Sequence, residues 1–416
     1  MRQALSLITL ATLVTVPALY LRITGSHIEL VTDTTLYGVA IVASAFLLAW
    51  AAEAAEVDIS QALAVAFIAF VAVLPEYAVD LTFAWKAGKD PEFAQFAVAN
   101  MTGANRLLIG LGWSAVFFIF WMRTRGRVLS LRRGNALDVV ALTAATLYSF
   151  TIPLKGSISL LDTVVLFAIF VAYMYGISRA EGDEPHLVGP AAWLGGLAQR
   201  RRRLANTWLF IFAAAVILAS AEHFAEGLVE SGTKLGIDEF LLVQWLAPLA
   251  SEAPEFLVAG ILAFRGRASV GLAALLSSKV NQWTLLVGGL PVVYSISSGT
   301  VDGVAGVFGG GLPMDARQSE EVLLTAAQSL FAVAVLISLS LGRYEAGALL
   351  GLFLIQFLIP ISEVRLVIAG IYIVLAVVLI GRQRREVREL VGWARMAIQD
   401  RERLEAEEAA ERPSHG

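Results

Sequence analysis

Apolar residues occur along this chain in long segments, most of them close to the roughly 20 residues that an α-helix needs to cross a bilayer. These segments predict twelve membrane-spanning helices, near 4–22, 36–57, 60–86, 92–121, 136–154, 159–178, 206–231, 238–264, 268–298, 319–341, 344–360 and 363–381. Segments 92–121 and 268–298 are longer than a membrane requires, which predicts that they are tilted or broken. The predicted fold class is an all-α polytopic membrane protein.

A proline and a glutamate, Pro75 and Glu76, interrupt the third apolar segment. Proline has no N–H to donate, so it frees the carbonyl of Val71 from the helix ladder. A glutamate at that depth costs about 3 kcal/mol unless it finds a partner. A freed carbonyl and a carboxylate at mid-membrane depth are what a cation site needs. We therefore interpret Pro75 as a helix break and Glu76 as an ion-binding or proton-carrying carboxylate.

The same arrangement returns 179 residues later, as Pro254 and Glu255. The next segment in each copy also carries a matching asparagine, Asn105 in the first and Asn281 in the second. This internal repeat predicts two five-helix halves, 36–178 and 206–360. Around them we expect an extra N-terminal helix in 1–35, an Arg-rich linker in 179–205, an extra C-terminal helix in 361–381 and a charged tail in 382–416. Both extra helices are predicted to be peripheral.

Composition agrees with a membrane protein, since 57% of the 416 residues are hydrophobic, 16% are charged and the mean hydropathy is +0.72. The absence of cysteine excludes disulfides and thiolate metal sites. The lipid bilayer is therefore the main expected partner, and nothing indicates nucleic-acid binding. The sequence gives no prediction of the oligomeric state.

Arginine placement predicts the topology, because cytoplasmic loops are enriched in basic residues. With twelve spans and a cytoplasmic N-terminus, the clusters in 123–133, 200–203 and 382–388 all fall on the cytoplasmic side of the cell membrane, as does the C-terminus. The two Pro-Glu helices then run in opposite directions. Inverted repeats with interrupted helices are typical of secondary transporters that work by alternating access.

The two copies resemble the paired α-repeats of the cation/calcium exchanger superfamily, which includes sodium/calcium and cation/proton exchangers. That family carries a GTSLPE-type motif followed by a GNVVGSNIFN-type motif in each half. Here the first copy reads VAVLPE and ANMTGANRLL, and the second reads ASEAPE and LLSSKVNQWT. The resemblance covers about residues 36–360 and implies a cation antiporter with ion-binding side chains in these motifs.

This chain departs from the family pattern at positions that concern the ion. The positions that depart are Ala72 and Val73, Ser251 and Glu252, Ala104 and Val280, and Leu108 and Thr284, together with the added cations Arg106 and Lys279. A Ca²⁺ site takes six to eight oxygen ligands. Several oxygens have been removed and cationic groups added, which argues against an ordinary high-affinity Ca²⁺ site, although Glu252 adds one carboxylate.

Our hypothesis is a cation/proton or sodium-coupled antiporter whose site contains an internal cation. Glu76 and Glu255 are the predicted carboxylates facing each other at the midplane, and the predicted metal ligands if the ion is a metal. Lys279 or Arg106 would pair with one of them when the ion is absent; alternatively, both are structural ion-pair partners. The oxygens are expected from Glu252, Ser251, Asn105, Asn281 and Thr284, with Asp80, Asn100 and Ser277 as further candidates. Asp80 is alternatively a partner for Lys86.

Three other functions stay open at the level of sequence: a conventional Na⁺/Ca²⁺ exchanger, a channel, and a structural or regulatory homologue that does not transport. An enzyme is not expected, because the chain contains neither H-E-x-x-H nor G-x-S-x-G. No cofactor is predicted. The expected ligands are small inorganic cations, with Na⁺, Ca²⁺ and H⁺ as the candidates for transport.

Overall fold

The computed structural model describes residues 2–55, 57–58, 74–179, 187–299 and 311–399, and these residues are almost entirely helical. The helices in chain order are α1 (Arg2–Thr24), α2 (Leu30–Ala55), α3 (Leu74–Ala87), α4 (Ala94–Leu107), α5 (Ser114–Thr124), α6 (Ala136–Ser149), α7 (Thr151–Lys155), α8 (Leu160–Arg179), α9 (Pro190–Gly195), α10 (Gln199–Leu235), α11 (Glu239–Phe264), α12 (Ala268–Asn281), α13 (Val287–Ser298), α14 (Ala316–Leu336), α15 (Arg343–Leu358), α16 (Ser362–Arg382) and α17 (Arg384–Gln399). Short 3₁₀ turns at Pro91–Phe93 and Arg133–Asn135 precede α4 and α6.

Strands in the described part of the chain are three residues long: β1 (Val128–Ser130), β2 (Ser157–Ser159), β3 (Gly311–Pro313) and β4 (Ser340–Gly342). Strands β1 and β4 pair antiparallel, with Leu129 opposite Leu341. Nine of the described helical segments are long and apolar enough to cross a membrane. The chain is therefore an all-α polytopic membrane protein.

Helix bounds follow the predicted apolar segments: α1 contains segment 4–22, α10 contains 206–231, and α11 begins one residue after the start of 238–264. The first part of the segment 60–86, with Ala72 and Val73, lies outside the described residues, as do 180–186 of the predicted linker and the tail beyond Gln399.

The chain forms two compact units, and each is assembled from several parts of the sequence. Unit 1 comprises 1–104, 182–254 and 289–312, and unit 2 comprises 105–181, 255–288 and 313–416. In unit 1, α2 and α10 pack so closely that a Cβ on Gly227 would lie 2.2 Å from the Thr34 hydroxyl oxygen. In unit 2, α14 and α16 pack together, and Phe331 contacts Tyr372 with ring centroids 5.7 Å apart.

The predicted helix break at Pro254 is wrong, because α11 continues through this residue from Glu239 to Phe264. A proline removes only its own N–H from the ladder, so the bonds of the turns on either side can hold the helix together. The regular α-helix instead gives way to π-helix at Leu108–Trp113, after α4, and at Gln282–Leu286, after α12. These segments interrupt the two long spans that were expected to be tilted or broken, and π-bulges often mark functional sites.

A bidentate ion pair at Asp58 in unit 1 gives a pH-dependent contribution to stability. The Arg202 guanidinium donates to both carboxylate oxygens of Asp58, at 2.7 and 2.8 Å, and Arg203 adds a third bond of 3.2 Å. The hydrogen bond from Arg202, with its charge, holds the pKa of Asp58 below its ordinary value. A lowered pKa means that the pair stabilises the fold above the unfolded-state pKa, about 4, and that this contribution is lost as the pH falls through the folded-state pKa.

We therefore expect Asp58→Asn to lower the melting temperature of the purified protein at neutral pH, and the difference from the wild type to shrink toward pH 3. Glu29→Gln is the matched control, because the Glu29–Lys234 pair is half exposed on both sides and exposed pairs contribute little. Equal melting temperatures for the wild type and Asp58→Asn at pH 7 would contradict the prediction.

Candidate functional site

Glu76 lies in the first turn of α3 in unit 1, directly after Pro75, and its side chain is only 3% exposed. Asp80 lies one turn further along the same helix and is fully buried. The early turns of α3 therefore place two acidic side chains inside the protein.

Asp80 pairs with another predicted residue, because the Asn100 amide of α4 donates to Asp80 Oδ1 at 2.8 Å. The alternative that Asp80 is the partner of Lys86 is wrong. Lys86 bonds to Glu226 of α10 and lies 3.7 Å from Glu222 on the same helix. Asp80 is thus paired with Asn100, and Lys86 forms its ion pairs with α10.

Helix α11 carries four of the predicted site residues within two turns: Ser251, Glu252, Pro254 and Glu255. The Ser251 hydroxyl donates to the carbonyl of Ala247 at 3.2 Å, so its lone pairs remain able to accept or coordinate. Glu252 is buried, with 2% exposure.

Glu255 belongs to unit 2, where a residue not predicted from sequence holds it. Ser278 Oγ of α12 donates to Glu255 Oε2 at 2.6 Å. The neighbouring Ser277, which was a candidate, lies 2.8 Å from the Tyr173 hydroxyl, and that hydroxyl donates to Asp138 at 2.6 Å. Two adjacent serines of α12 therefore have different partners: Ser278 bonds to Glu255, and Ser277 contacts Tyr173.

Lys279 is the first of the two predicted internal cations, and it is completely buried. Its ammonium donates to the side-chain oxygen of Asn105 at 2.5 Å. It also lies 4.3 Å from the ring centre of Trp283, in a cation–π contact. Two predicted site residues, Asn105 and Lys279, are therefore brought together in unit 2.

Arg106, the second predicted cation, takes part in a buried ionic network. Its guanidinium lies 2.6 Å from Glu321 of α14 and donates to Gln356 of α15 at 3.3 Å. Arg365 of α16 approaches the other oxygen of Glu321 at 3.6 Å and donates to Glu320 at 2.9 Å. These contacts favour the alternative that Arg106 is a structural ion-pair partner.

Asn281 and Thr284 flank the start of the second π-helical segment and are both buried. Thr284 donates to the Val280 carbonyl at 2.6 Å. Asn281 Oδ1 has no hydrogen-bond donor within the described part of the chain. Both side chains keep oxygen lone pairs that could accept a bond or contact a cation.

Gly103 allows α4 and α11 to approach closely within unit 1. A Cβ at this position would lie 1.7 Å from the carbonyl oxygen of Gln244, which is backbone and cannot move aside cheaply. The Gln244 side chain also donates to Thr102 at 3.4 Å. The glycine of the ANMTGANRLL motif therefore has a packing role beside the Asp80–Asn100 pair.

We expect Gly103→Ala to destabilise the protein by about 3 kcal/mol, the upper end of the usual cost of overpacking, and to lower its melting temperature. Gly347→Ala in α15 is the control, because a Cβ there meets nothing within 4 Å. A Gly103→Ala variant as stable as Gly347→Ala would show that the helices can move apart at this point.

No group of three or more His, Asp or Glu side chains with metal-binding geometry occurs among the described residues. The described residues include the buried carboxylates of Glu76, Asp80 and Glu252 and the buried ammonium of Lys279. Such groups can bind and release protons or contact a cation. The prediction that Glu76 and Glu255 face each other stays a prediction.

Sequence reasoning missed Ser278, Tyr173, Asp138 and Glu321. Asp138 and Glu321 could have been identified from the sequence, because each is an acidic residue near the end of a predicted membrane-spanning segment. Tyr173 gave no signal, because a tyrosine in a membrane span is ordinary. Ser278 was inside the quoted motif, but nothing in the pattern distinguished it from Ser277.

The family model and the solved structures that match this chain are all of cation exchangers or antiporters. A family model described as sodium/calcium exchanger protein matches residues 34–178 and 205–362. A crystal structure of the H⁺/Ca²⁺ exchanger CAX is 46% identical, with a TM-score of 0.90, over 96% of this chain and 99% of that one. The structure of native YfkE is 15% identical over 88% of this chain and 99% of that one, with a TM-score of 0.59, which shows a shared fold. A structure of the sodium-calcium exchanger NCX_Mj is 17% identical over 79% of this chain and 98% of that one, with a TM-score of 0.52. The comparison with curated proteins finds no match.

Proposed function

This chain belongs to the sodium/calcium exchanger protein family, and we propose that it exchanges Ca²⁺ for protons across the membrane by alternating access. Family membership makes it a membrane transporter of the cation antiporter type and not an enzyme. The single observation that carries the choice of coupling ion is the 46% identity, over 96% of the chain, with an H⁺/Ca²⁺ exchanger. The more distant relatives support only the fold.

The proposed architecture is twelve helices in two inverted five-helix repeats, with one further helix at each end and both termini in the cytoplasm. The stretches that match the family model, 34–178 and 205–362, nearly coincide with the halves 36–178 and 206–360 that the Pro-Glu repeat predicts. The arginine distribution supports the orientation. The domain bounds remain those given from sequence.

The charge of the proposed ion site suits an exchange of one Ca²⁺ for two protons. Glu76, Glu252 and Glu255 carry three negative charges when ionised, and Lys279 carries one positive charge. The remaining two negative charges are neutralised equally well by one divalent cation or by two protons. These four side chains are then neutral as a group in both loaded forms, which avoids the high cost of burying their net charge in the low-dielectric interior.

Lys279 acts as a resident cation in this scheme. Its ammonium donates to Asn105 Oδ1 and lies over the Trp283 ring. It lowers the negative charge without being transported. Ser251, Asn105, Asn281 and Thr284 are proposed to supply neutral oxygens to the cation, and Ser277 to support them through its contact with Tyr173.

Ion fluxes in proteoliposomes test the proposal. An outward proton gradient, with an acidic lumen, should drive accumulation of radioactive Ca²⁺, and a protonophore should abolish it. Accumulation driven by an outward Na⁺ gradient at uniform pH would instead identify a conventional Na⁺/Ca²⁺ exchanger. Absence of any uptake, together with no Ca²⁺-dependent rise in melting temperature, would identify a homologue that does not transport.

A further inference from the structure

The Asp80–Asn100 pair in unit 1 is the buried polar group that the proposed charge balance does not use. Both side chains have no exposed surface. The Asn100 amide nitrogen donates to Asp80 Oδ1 at 2.8 Å, and this is the hydrogen bond that Asp80 makes within the described part of the chain. A buried carboxylate normally needs a cation or several donors to remain ionised.

Each member of the pair has one oxygen without a donor. Asp80 Oδ2 and Asn100 Oδ1 are both buried, and neither accepts a hydrogen bond from any described residue. If Asp80 is ionised, the pair therefore contains two buried acceptors that are not satisfied, one of them charged. Each such group costs about 1–3 kcal/mol, and more when it is charged.

One proton on Asp80 would remove both deficits. A protonated carboxyl group has an O–H donor, and an amide facing it offers a complementary oxygen. With the Asn100 amide donating to Oδ1, an O–H on Oδ2 can donate to Asn100 Oδ1 and close a two-bond acid–amide ring. We propose that Asp80 is a proton-binding carboxyl of the transport pathway, separate from Glu76 and Glu255, and that Asn100 holds its protonated form.

Among the described residues, no charged side chain donates a hydrogen bond to Asp80 or forms an ion pair with it. On α3 itself the charged groups are Glu76, one turn before, and Lys86, which bonds to Glu226 of α10. The described parts of α4 and α13 in unit 1, residues 94–104 and 289–298, contain no charged residue. Tyr77 of α3 and Tyr294 of α13 are titratable, and α11 carries Glu239 and Glu252 in unit 1. The remaining titratable groups on this part of α10 are Glu222, His223 and Glu230, of which His223 contacts Arg22.

The position of Asp80 gives its proton a role in exchange, and this step rests on the proposed function. Asp80 follows Glu76 by four residues, or about 6 Å along the helix axis. A Ca²⁺ ion bound at Glu76 would repel a proton at that distance. The O–H bond of Asp80 would break and the proton would leave to water, as a third proton beside the two of the three-glutamate site. The carboxylate left behind would add one negative charge to the Ca²⁺-loaded form, where the cation would stabilise it. When Ca²⁺ leaves, a proton from water would restore the acid–amide ring.

Infrared spectroscopy tests the protonated state without any transported ion. The difference spectrum between wild type and Asp80→Asn at neutral pH should contain the carbonyl-stretch band of one protonated carboxyl group, and that band should shift in Asn100→Ala. Asp80→Asn should fold, because an asparagine is nearly isosteric and can form the same two-bond ring with Asn100. A difference spectrum without this band means that Asp80 is ionised and overturns the proposal.

Proton release on Ca²⁺ binding tests the role in exchange. In weakly buffered detergent solution with a pH-sensitive dye, Asp80→Asn should release about one proton fewer per bound Ca²⁺ than the wild type. Asp138→Asn is the matched control, because Tyr173 and Asn135 already donate to both of its oxygens, and it should release the wild-type number. Unchanged release from Asp80→Asn overturns the proposal. Failure of the wild type to bind Ca²⁺ overturns the proposed function instead, and the infrared result still stands.

Discussion

Glu255→Gln is expected to abolish proton-driven Ca²⁺ uptake in proteoliposomes and to weaken Ca²⁺ binding about a hundredfold or more. Glutamine keeps the size of the side chain and can still accept the 2.6 Å bond from Ser278, so the change removes charge and a protonation site while preserving shape. Loss of one partner from a buried ionic interaction costs about 3–5 kcal/mol, and about 1.4 kcal/mol corresponds to a factor of ten. Isotope uptake and calorimetric titration with Ca²⁺ measure the two effects.

Two further variants sharpen this experiment. Ser278→Ala should weaken Ca²⁺ binding by about tenfold, because a hydrogen bond to a charged group contributes about 1.5–3 kcal/mol. Glu363→Gln is the control, since Glu363 is an exposed glutamate in the first turn of α16, and it should transport as the wild type does. Glu76→Gln should behave as Glu255→Gln does. Wild-type exchange by both Glu76→Gln and Glu255→Gln would show that the ion-site residues lie elsewhere.

Arg106→Met is expected to cause the largest loss of stability, about 3–5 kcal/mol. The side chain of Arg106 is 1% exposed and lies 2.6 Å from Glu321, whose other cationic neighbour, Arg365, is 3.6 Å away. Methionine fills much of the space but leaves the Glu321 carboxylate poorly compensated, and an uncompensated buried charge is strongly destabilising. Thermal unfolding of the purified protein should register a large fall in melting temperature.

A double-mutant cycle separates the ion pair from simple packing. Arg106→Met combined with Glu321→Gln should recover much of the lost stability, because the charge that the first change exposes is then absent. Arg385→Met serves as the control, since Arg385 is 87% exposed and its bond to Glu389 lies on the surface of α17. Strictly additive losses in the double variant would show that the pair is not coupled.

The Arg106 network also changes the picture of the C-terminal helix. The sequence predicts α16 as an addition outside the repeats, and much of its surface is apolar and exposed. In the structure, Arg365 near its start reaches Glu320 and Glu321, so α16 is joined through α14 to the residue that follows Asn105. This contact is invisible in a single sequence, because Arg106 and Arg365 are separated by more than half the length of the chain.

Family, membrane class and the position of the two acidic motifs could be read from local features. Apolar segments of about 20 residues must become helices in a bilayer, because no other structure in that solvent satisfies the backbone. Likewise, a Pro-Glu pair inside such a segment is costly enough to indicate function wherever it occurs. Glu76 and Glu255 were identified in this way, Asn105 came from the internal repeat, and Lys279 from the comparison with the family motif.

Partner choice, in contrast, was decided by tertiary structure. From the sequence, Lys86 was a possible partner for Asp80, and a site carboxylate was a possible partner for Arg106. In the structure, Asp80 bonds to Asn100, Lys86 to Glu226 of α10, and Arg106 to Glu321. In the folded chain, α11 is also helical through Pro254, and π-helix occurs at Leu108–Trp113 and Gln282–Leu286. Hydropathy and the cost of buried charge act on each segment alone, so the sequence determined where helices and acidic groups occur. Hydrogen bonds and ion pairs between segments depend on which helix faces meet, so only the folded chain determined what each group contacts.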